Sequence, residues 1–451
     1  MAILTLTLLP LAACGTKNQA VQPQTPVIVE RPEALPGEVK VGLLLPLTGP
    51  AADLGHDMLK AAQMALFDAG ESPIVLLPRD TRGSAEGAAL ATRNLLDEGV
   101  EVLIGPLFSR AVEAVTPIAQ QADVRVLAFS NVTSVAAEGT FLFGFRPEEQ
   151  IDRVVQYALD QGLVRFAGLA PNDAYGMTAM EALKRAVFER GGELGDILYY
   201  PSNLDDPSAV VRDIANFDER QAALEQERRI LEAMGEDDEV ASAVLKQIET
   251  LDTFGDPPFD AILIADGSDR LRSVASLLTF YDVDPSEVQF LGTIRWQDDP
   301  RVLQEEALGG GWFAASSPDA FAAFEQRFQS FFDKTPEQLA SLAYDATALS
   351  VIVERDLGDR NFSPISLTDT EGFAGATGLF RLHVDGLAQH GLAVLKVANG
   401  GIEEIDPTPV RFEQEIADDP FAVDDPASGN GGFGGGFDTS RPTTADPPLT
   451  Q

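Results

Sequence analysis

The sequence predicts an α/β protein of two similar lobes, each a parallel sheet flanked by helices, with a helical insertion in the second lobe. Three observations carry this. Short continuous apolar runs alternate with stretches whose apolar residues recur every three to four positions, the mark of strands and helices in alternation. The series stops near Pro147 and then starts again. Each apolar run ends in a polar or turn-rich segment, which is how an open parallel sheet presents ligand-binding ends.

The first series begins with "VKVGLLLPL" (39–47), a run with no polar alternation, as a strand covered on both faces requires. A helix follows, with apolar Met58, Ala61, Ala62, Ala65 and Leu66 on one face. Then come strand "PIVLLPRD", helix "AEGAALATRNLLDEG", strand "VEVLIGP", helix "SRAVEAVTPIAQQA" and strand "VRVLAFS". The second series runs helix "EEQIDRVVQYALDQG", strand "VRFAGLAP", helix "MTAMEALKRAVFERGG" and strand "LGDILYY". After an insertion it resumes as strand "FDAILIAD", helix "RLRSVASLLTFY" and strand "VQFLGT". The insertion, 205–258, reads as two helices. Val210, Ile214, Phe217, Leu224 and Leu231 stripe the first, and Val240, Val244, Ile248 and Leu251 the second, with "GEDDE" between them capping the second. Their stripe either packs on the second lobe or docks a partner. The expected partition is lobe 1 from 39–146 and 295–357, and lobe 2 from 147–294 and 358–412.

The flanks differ from this body. Cys14 is the only cysteine in 451 residues, so no intrachain disulfide exists. It stands in "LPLAACG", behind an apolar run that ends in small residues, the composition of a signal-peptide cleavage site. A buried strand with an incidental thiol is the competing reading. No Lys or Arg precedes the run, so the biological start is expected upstream of Met1. Residues 14–38 are rich in Pro, Gln and Thr and read as a tether. Residues 413–451 are acidic and rich in Gly and Pro and are expected to be a disordered tail.

The net charge is −39, spread along the whole chain. Nucleic acid is excluded as a partner, because phosphates need clustered Lys and Arg. Beyond the leader no apolar run reaches the roughly 20 residues of a membrane helix, so membrane contact is expected through a lipid anchor alone. The charge itself suits either a basic partner surface or solubility.

Seven strand ends converge on one expected cleft: 46–50, 79–83, 105–109, 129–134, 171–176, 265–269 and 292–299. Ser109 would lie at a helix start that favours an anion such as a carboxylate. The Asn131 and Thr133 loop would add polar groups, Tyr175 an aromatic wall, and Asp266 a partner for an ammonium group. Each also has a local reading: Ser109 and Asp266 as helix caps, 131–134 as a turn. Catalytic motifs are absent: no HExxH, no GxSxG and no Walker loop, and neither metal nor cofactor is expected. His383 and His390 fall in "RLHVDGLAQHG", which reads as a hairpin about Asp385-Gly386.

The segments "KVGLLLPLTGPAADLG", "GPLFSRAVEAVTPIA", "NDAYG", "FDAILIADG" and "LAYDATAL", in this order, give 39–412 its resemblance to the type 1 periplasmic binding protein fold of leucine-type ABC transporter solute-binding proteins. Ser109, Asn131, Thr133, Tyr175 and Asp266 match that family's ligand contacts. The "LLLPLTG" opening, the "GPL" turn and Pro147-Glu148-Glu149 resemble penicillin-binding-protein activator lipoproteins. "LPLAACG" resembles a lipobox, which implies lipidation of Cys14, and Gly15 after it implies the outer membrane. The activator resemblance implies a non-catalytic periplasmic lipoprotein that stimulates a class A penicillin-binding protein in peptidoglycan synthesis. The solute-binding resemblance implies a receptor that brings an amino-acid-like ligand to an ABC permease.

Overall fold

The computed structural model describes residues 37–412, apart from 203–205, 235–237, 298 and 399. Cys14, the tether and the acidic tail lie outside the described residues.

The first sheet has five parallel strands: β1 (Val39–Leu45), β2 (Ile74–Asp80), β3 (Val102–Ile104), β4 (Arg125–Ala128) and β5 (Thr140–Leu142), in the order β2-β1-β3-β4-β5. Helices α1 (Ala52–Ala69), α2 (Ala85–Asp97) and α3 (Ser109–Gln121) connect them. Side chains alternate across a strand. Val41, Leu43 and Leu45 of β1 therefore face Met58 and Ala62 of α1, while Leu44 faces Leu95 and Val112 of α2 and α3. Gly42 lets α2 approach: a Cβ there would lie 2.8 Å from Leu95 and Leu103.

The chain enters the second lobe at α4 (Pro147–Asp160), the expected restart. It continues as β6 (Arg165–Pro171), α5 (Ala174–Glu189), β7 (Glu193–Tyr200), α6 (Ser208–Ile214), α7 (Phe217–Met234), α8 (Glu239–Ile248), β8 (Ala261–Ile264), α9 (Ser268–Phe280), β9 (Gln289–Gly292) and β10 (Trp312–Ala315). Helices α10 (Pro318–Phe332), α11 (Ala340–Arg355) and α12 (Pro364–Leu367) follow. The described chain ends with β11 (Phe373–Gly375), β12 (Gly378–Leu382), β13 (Ala388–His390), β14 (Ala393–Ala398) and β15 (Gly401–Asp406). The second sheet has the order β15-β14-β10-β9-β8-β6-β7, parallel from β10 to β7, with β14 and β15 added antiparallel at one edge. Helices α4 and α5 cover one face, α6 and α9 the other.

The expected partition of 295–412 needs correction. β10 lies in the 295–357 stretch assigned to lobe 1, yet it pairs with β9, and Phe313 and Ala315 pack in the second core beside Trp296. Of 358–412, assigned to lobe 2, Phe362, Leu367, Phe373, Phe380, Leu382 and Ala388 pack in the first core, and only β14 and β15 join the second sheet. Residues of helices α10 and α11 pack in the first core. The chain thus crosses between lobes at 143–146, 316–317 and 391–392.

The insertion forms three helices rather than two. Asn216, in the left-handed region at φ 49°, breaks the first expected helix. Val211 and Ile214 of α6 enter the second core. α7 and α8 instead pack on each other through Leu224, Leu231, Ala241 and Ile248. Phe217 against Tyr281 (5.2 Å between rings) and Arg220, which donates to the carbonyls of Gly255 (2.9 Å) and Asp282 (3.0 Å), moor this hairpin to the lobe. Asp238 caps α8 by accepting from the Val240 and Ala241 amides, as "GEDDE" suggested. The hairpin about Asp385-Gly386 is also present, between β12 and β13.

Candidate functional site

On the first lobe the strand ends are tied by Asp80. Its carboxylate accepts from the amides of Leu47 (3.0 Å), Thr48 (3.2 Å) and Arg82 (2.8 Å) and from the Thr48 hydroxyl (2.7 Å). Desolvation works to raise its pKa, but these hydrogen bonds outweigh it and hold the carboxyl below its ordinary value. Arg82 is thereby fixed at φ 54°, a strained state for a non-glycine residue. Phe108 packs over Gly83, within 3.3 Å of its Cβ position, and joins the β2 and β3 ends. Ser109 is the first residue of α3, which has no side-chain cap. The cap expected of Ser109 is therefore not what holds that helix. Asn131 is exposed, and Thr133 opens a short 3₁₀ turn to Val135.

On the second lobe Asp173 caps α5 through the Gly176 amide (2.9 Å), and Tyr175 follows in the first turn. The Tyr175 hydroxyl is hydrogen-bonded to Thr293 (2.8 Å), and the Arg295 guanidinium lies 3.9 Å from its ring centre. Asp266, only 2% exposed, is fully engaged. It accepts from the Tyr200 hydroxyl (2.5 Å), the Gly267 amide (2.8 Å) and Arg270 (Nε 2.5 Å, Nη2 3.2 Å). Burial, then the Asp266 charge, pushes the Tyr200 pKa up, so this phenol keeps its proton. Hydrogen bonding to Asp266 raises the Arg270 pKa. The carboxylate expected to hold an ammonium group already holds a guanidinium. Gly267 approaches the Arg295 backbone (3.2 Å from its Cβ position), so Tyr175, Arg295 and Asp266 form one continuous wall.

The structure thus places Tyr175 and Asp266 on one wall and Ser109, Asn131 and Thr133 at the first-lobe strand ends. Sequence reasoning missed Arg270, Tyr200 and Arg295. Arg270 was within reach, because it stands in the first turn of α9, only four residues after Asp266.

Where the lobes join, buried polar groups meet. The Glu149 and His390 side chains are 8% and 4% exposed. Glu149 accepts from the Arg146 amide (3.1 Å), the His390 amide (3.1 Å) and His390 Nδ1 (2.9 Å). Desolvation opposes ionisation there, yet the His390 and Arg146 charges prevail and the Glu149 pKa is lowered. Arg146 donates to the Ala388 carbonyl (2.8 Å), Ile294 N–H to Gln150 (2.9 Å), and Arg153 to the Leu392 carbonyl (3.0 Å). The Pro-Glu-Glu element is therefore hinge structure. Asp345, in "LAYDATAL", accepts from the Ala376 amide (2.5 Å) and the Thr377 hydroxyl (2.9 Å), and burial pushes its pKa up to about 6. No cluster of metal-ligating side chains occurs among the described residues, and no described helix is long and apolar enough to cross a membrane.

Comparison with known proteins agrees with this architecture. Leu/Ile/Val-binding protein homolog 6 of Brucella abortus is 26% identical over 39% of this chain and 47% of its own length. Penicillin-binding protein activator LpoA of Glaesserella parasuis is 25% identical over 36% of this chain and 27% of its own. The chain thus spans about half the length, or less, of these curated relatives. The leucine-binding protein LivK of Thermotoga maritima superposes with a TM-score of 0.52 at 20% identity, over 81% of this chain and 97% of that one, which speaks for the fold alone. Together with a family model that matches residues 38–401, the two-lobed architecture identifies the chain as a member of the periplasmic binding protein family.

Proposed function

We propose that the chain is a non-catalytic lipoprotein of the periplasm, anchored through Cys14 to the outer membrane, that activates a class A penicillin-binding protein in peptidoglycan synthesis. The α7–α8 hairpin carries this reading. Its inner residues satisfy each other, while Ile230 (48% exposed), Met234 and Val240 (73% exposed) face outward. Exposed apolar side chains on a projecting helical pair suit a protein partner. The similarity to LpoA points the same way. The test is retention of a class A penicillin-binding protein from the same source on the immobilised full chain. Retention without any small molecule, lost in an Ile230→Asp/Val240→Asp variant of unchanged melting temperature, is expected. No retention, together with a saturable rise in melting temperature on adding leucine, overturns the reading.

The second reading is a solute receptor for an ABC permease, favoured by the family match across both lobes and by the likeness to LivK. A receptor closes on its ligand, and its melting temperature rises by mass action when ligand exceeds Kd.

A further inference from the structure

We propose that the cleft binds an organic carboxylate that carries no ammonium group. This goes beyond both readings above and concerns the cleft whichever partner the body serves. The seven strand-end segments carry five described acids, Asp80, Asp173, Asp266, Asp269 and Asp299. Each is already engaged. Asp80 closes its loop, Asp173 caps α5, and Asp266 holds Tyr200 and Arg270. Asp269 pairs with Arg272 and Arg301, and Asp299 with Arg301. The arginines of the same segments are distributed differently. Arg79 is tied to Glu98, but Arg82 and Arg295, and Arg110 beside Ser109, have no carboxylate partner among the described residues. In a chain of net charge −39, guanidiniums with no carboxylate partner among the described residues give these strand ends a local affinity for anions.

Arg295 is the centre of the receptor. Its guanidinium carbon lies 3.9 Å over the Tyr175 ring centre, and a guanidinium stacked on an aromatic face keeps its N–H edge for a bidentate carboxylate. The preceding Ile294 packs against both cores, so Arg295 stands where the lobes meet. The ammonium of an amino acid has no receptor on this wall. It would either lie desolvated without a partner or displace Arg270 from Asp266, and both are unfavourable.

The test is calorimetric titration and thermal shift of the full chain with two matched pairs, 4-methylpentanoate against leucine and 3-phenylpropanoate against phenylalanine. Within each pair only the ammonium group differs. The carboxylates are expected to bind saturably, and the amino acids at least about tenfold more weakly, the usual effect of one unpaired buried polar group. Arg295→Gln should weaken the carboxylates by roughly tenfold to a hundredfold, and Arg270→Gln should let leucine in by freeing Asp266. Leucine or phenylalanine binding as tightly as its partner, or no binding by any of the four, overturns the proposal using the unaltered chain alone. Undiminished carboxylate binding in Arg295→Gln does so too. The outcome with a penicillin-binding protein does not affect this comparison.

Discussion

Asp345→Asn should flatten part of the pH dependence of stability. The Asp345 carboxyl is buried, and its pKa moves from 3.8 up to about 6. A raised carboxyl pKa means that the folded state binds more protons than the unfolded state between those values, so stability falls as pH rises through that window. The shift corresponds to about 3 kcal/mol of stability lost by neutral pH. For a body of this size that is about 4 °C in melting temperature. The charges near Asp345 include His390, which favours its ionised form and moderates the effect. Asn cannot ionise, so the variant lacks the Asp345 part of the slope. Below pH 4 it should be less stable by about 1 kcal/mol, since one of the hydrogen bonds to Ala376 and Thr377 is weakened. The assay is urea denaturation of both proteins from pH 4 to 8, and the difference between them isolates Asp345. A difference that stays constant across the window refutes the reasoning.

Glu149→Gln has the opposite pH signature. The Glu149 pKa is lowered, so its contribution is present above the ordinary carboxyl range and is lost as pH falls. Removing one partner of this buried pair should cost about 3 kcal/mol at pH 7, and the difference from wild type should shrink below pH 4, read by the same urea titrations; an equal loss at both pH values counts against the pair. Leu224→Ala should empty the small core between α7 and α8 and leave the lobes intact, because that core is separate from the others. Amide exchange should accelerate within 217–248 with little change in the global melting temperature; a uniform loss of protection would show the hairpin to be part of the main cooperative unit.

The candidate site was legible as a set of strand ends and illegible as chemistry. Tyr175 and Asp266 do share a wall, as the alternation of strands and polar ends implied. Asp266, expected as a partner for an ammonium group, is paired with Tyr200 and Arg270, because a carboxylate's partners depend on who reaches it first. Tyr200 lies at the end of another strand, 66 positions away, and no local pattern announces its hydrogen bond. Pro147-Glu148-Glu149 marked the entry to the second lobe, but its partner His390 lies 241 positions on.

The sequence by itself determined the α/β class, the two lobes, the restart at Pro147 and the capping of α8. These rest on periodicity, apolar runs and short-range hydrogen bonds, which act within a few residues. Tertiary structure alone decided the sheet that each of β10 to β15 joins, the mooring of the α7–α8 hairpin, and the pairing of Asp266 with Arg270 and Tyr200. Apolar side chains of 312–315 or 373–390 carry no mark of their lobe, because burial is non-directional and either core would accept them. The choice is made by shape and by hydrogen bonds between distant strands, which exist only once the chain has folded.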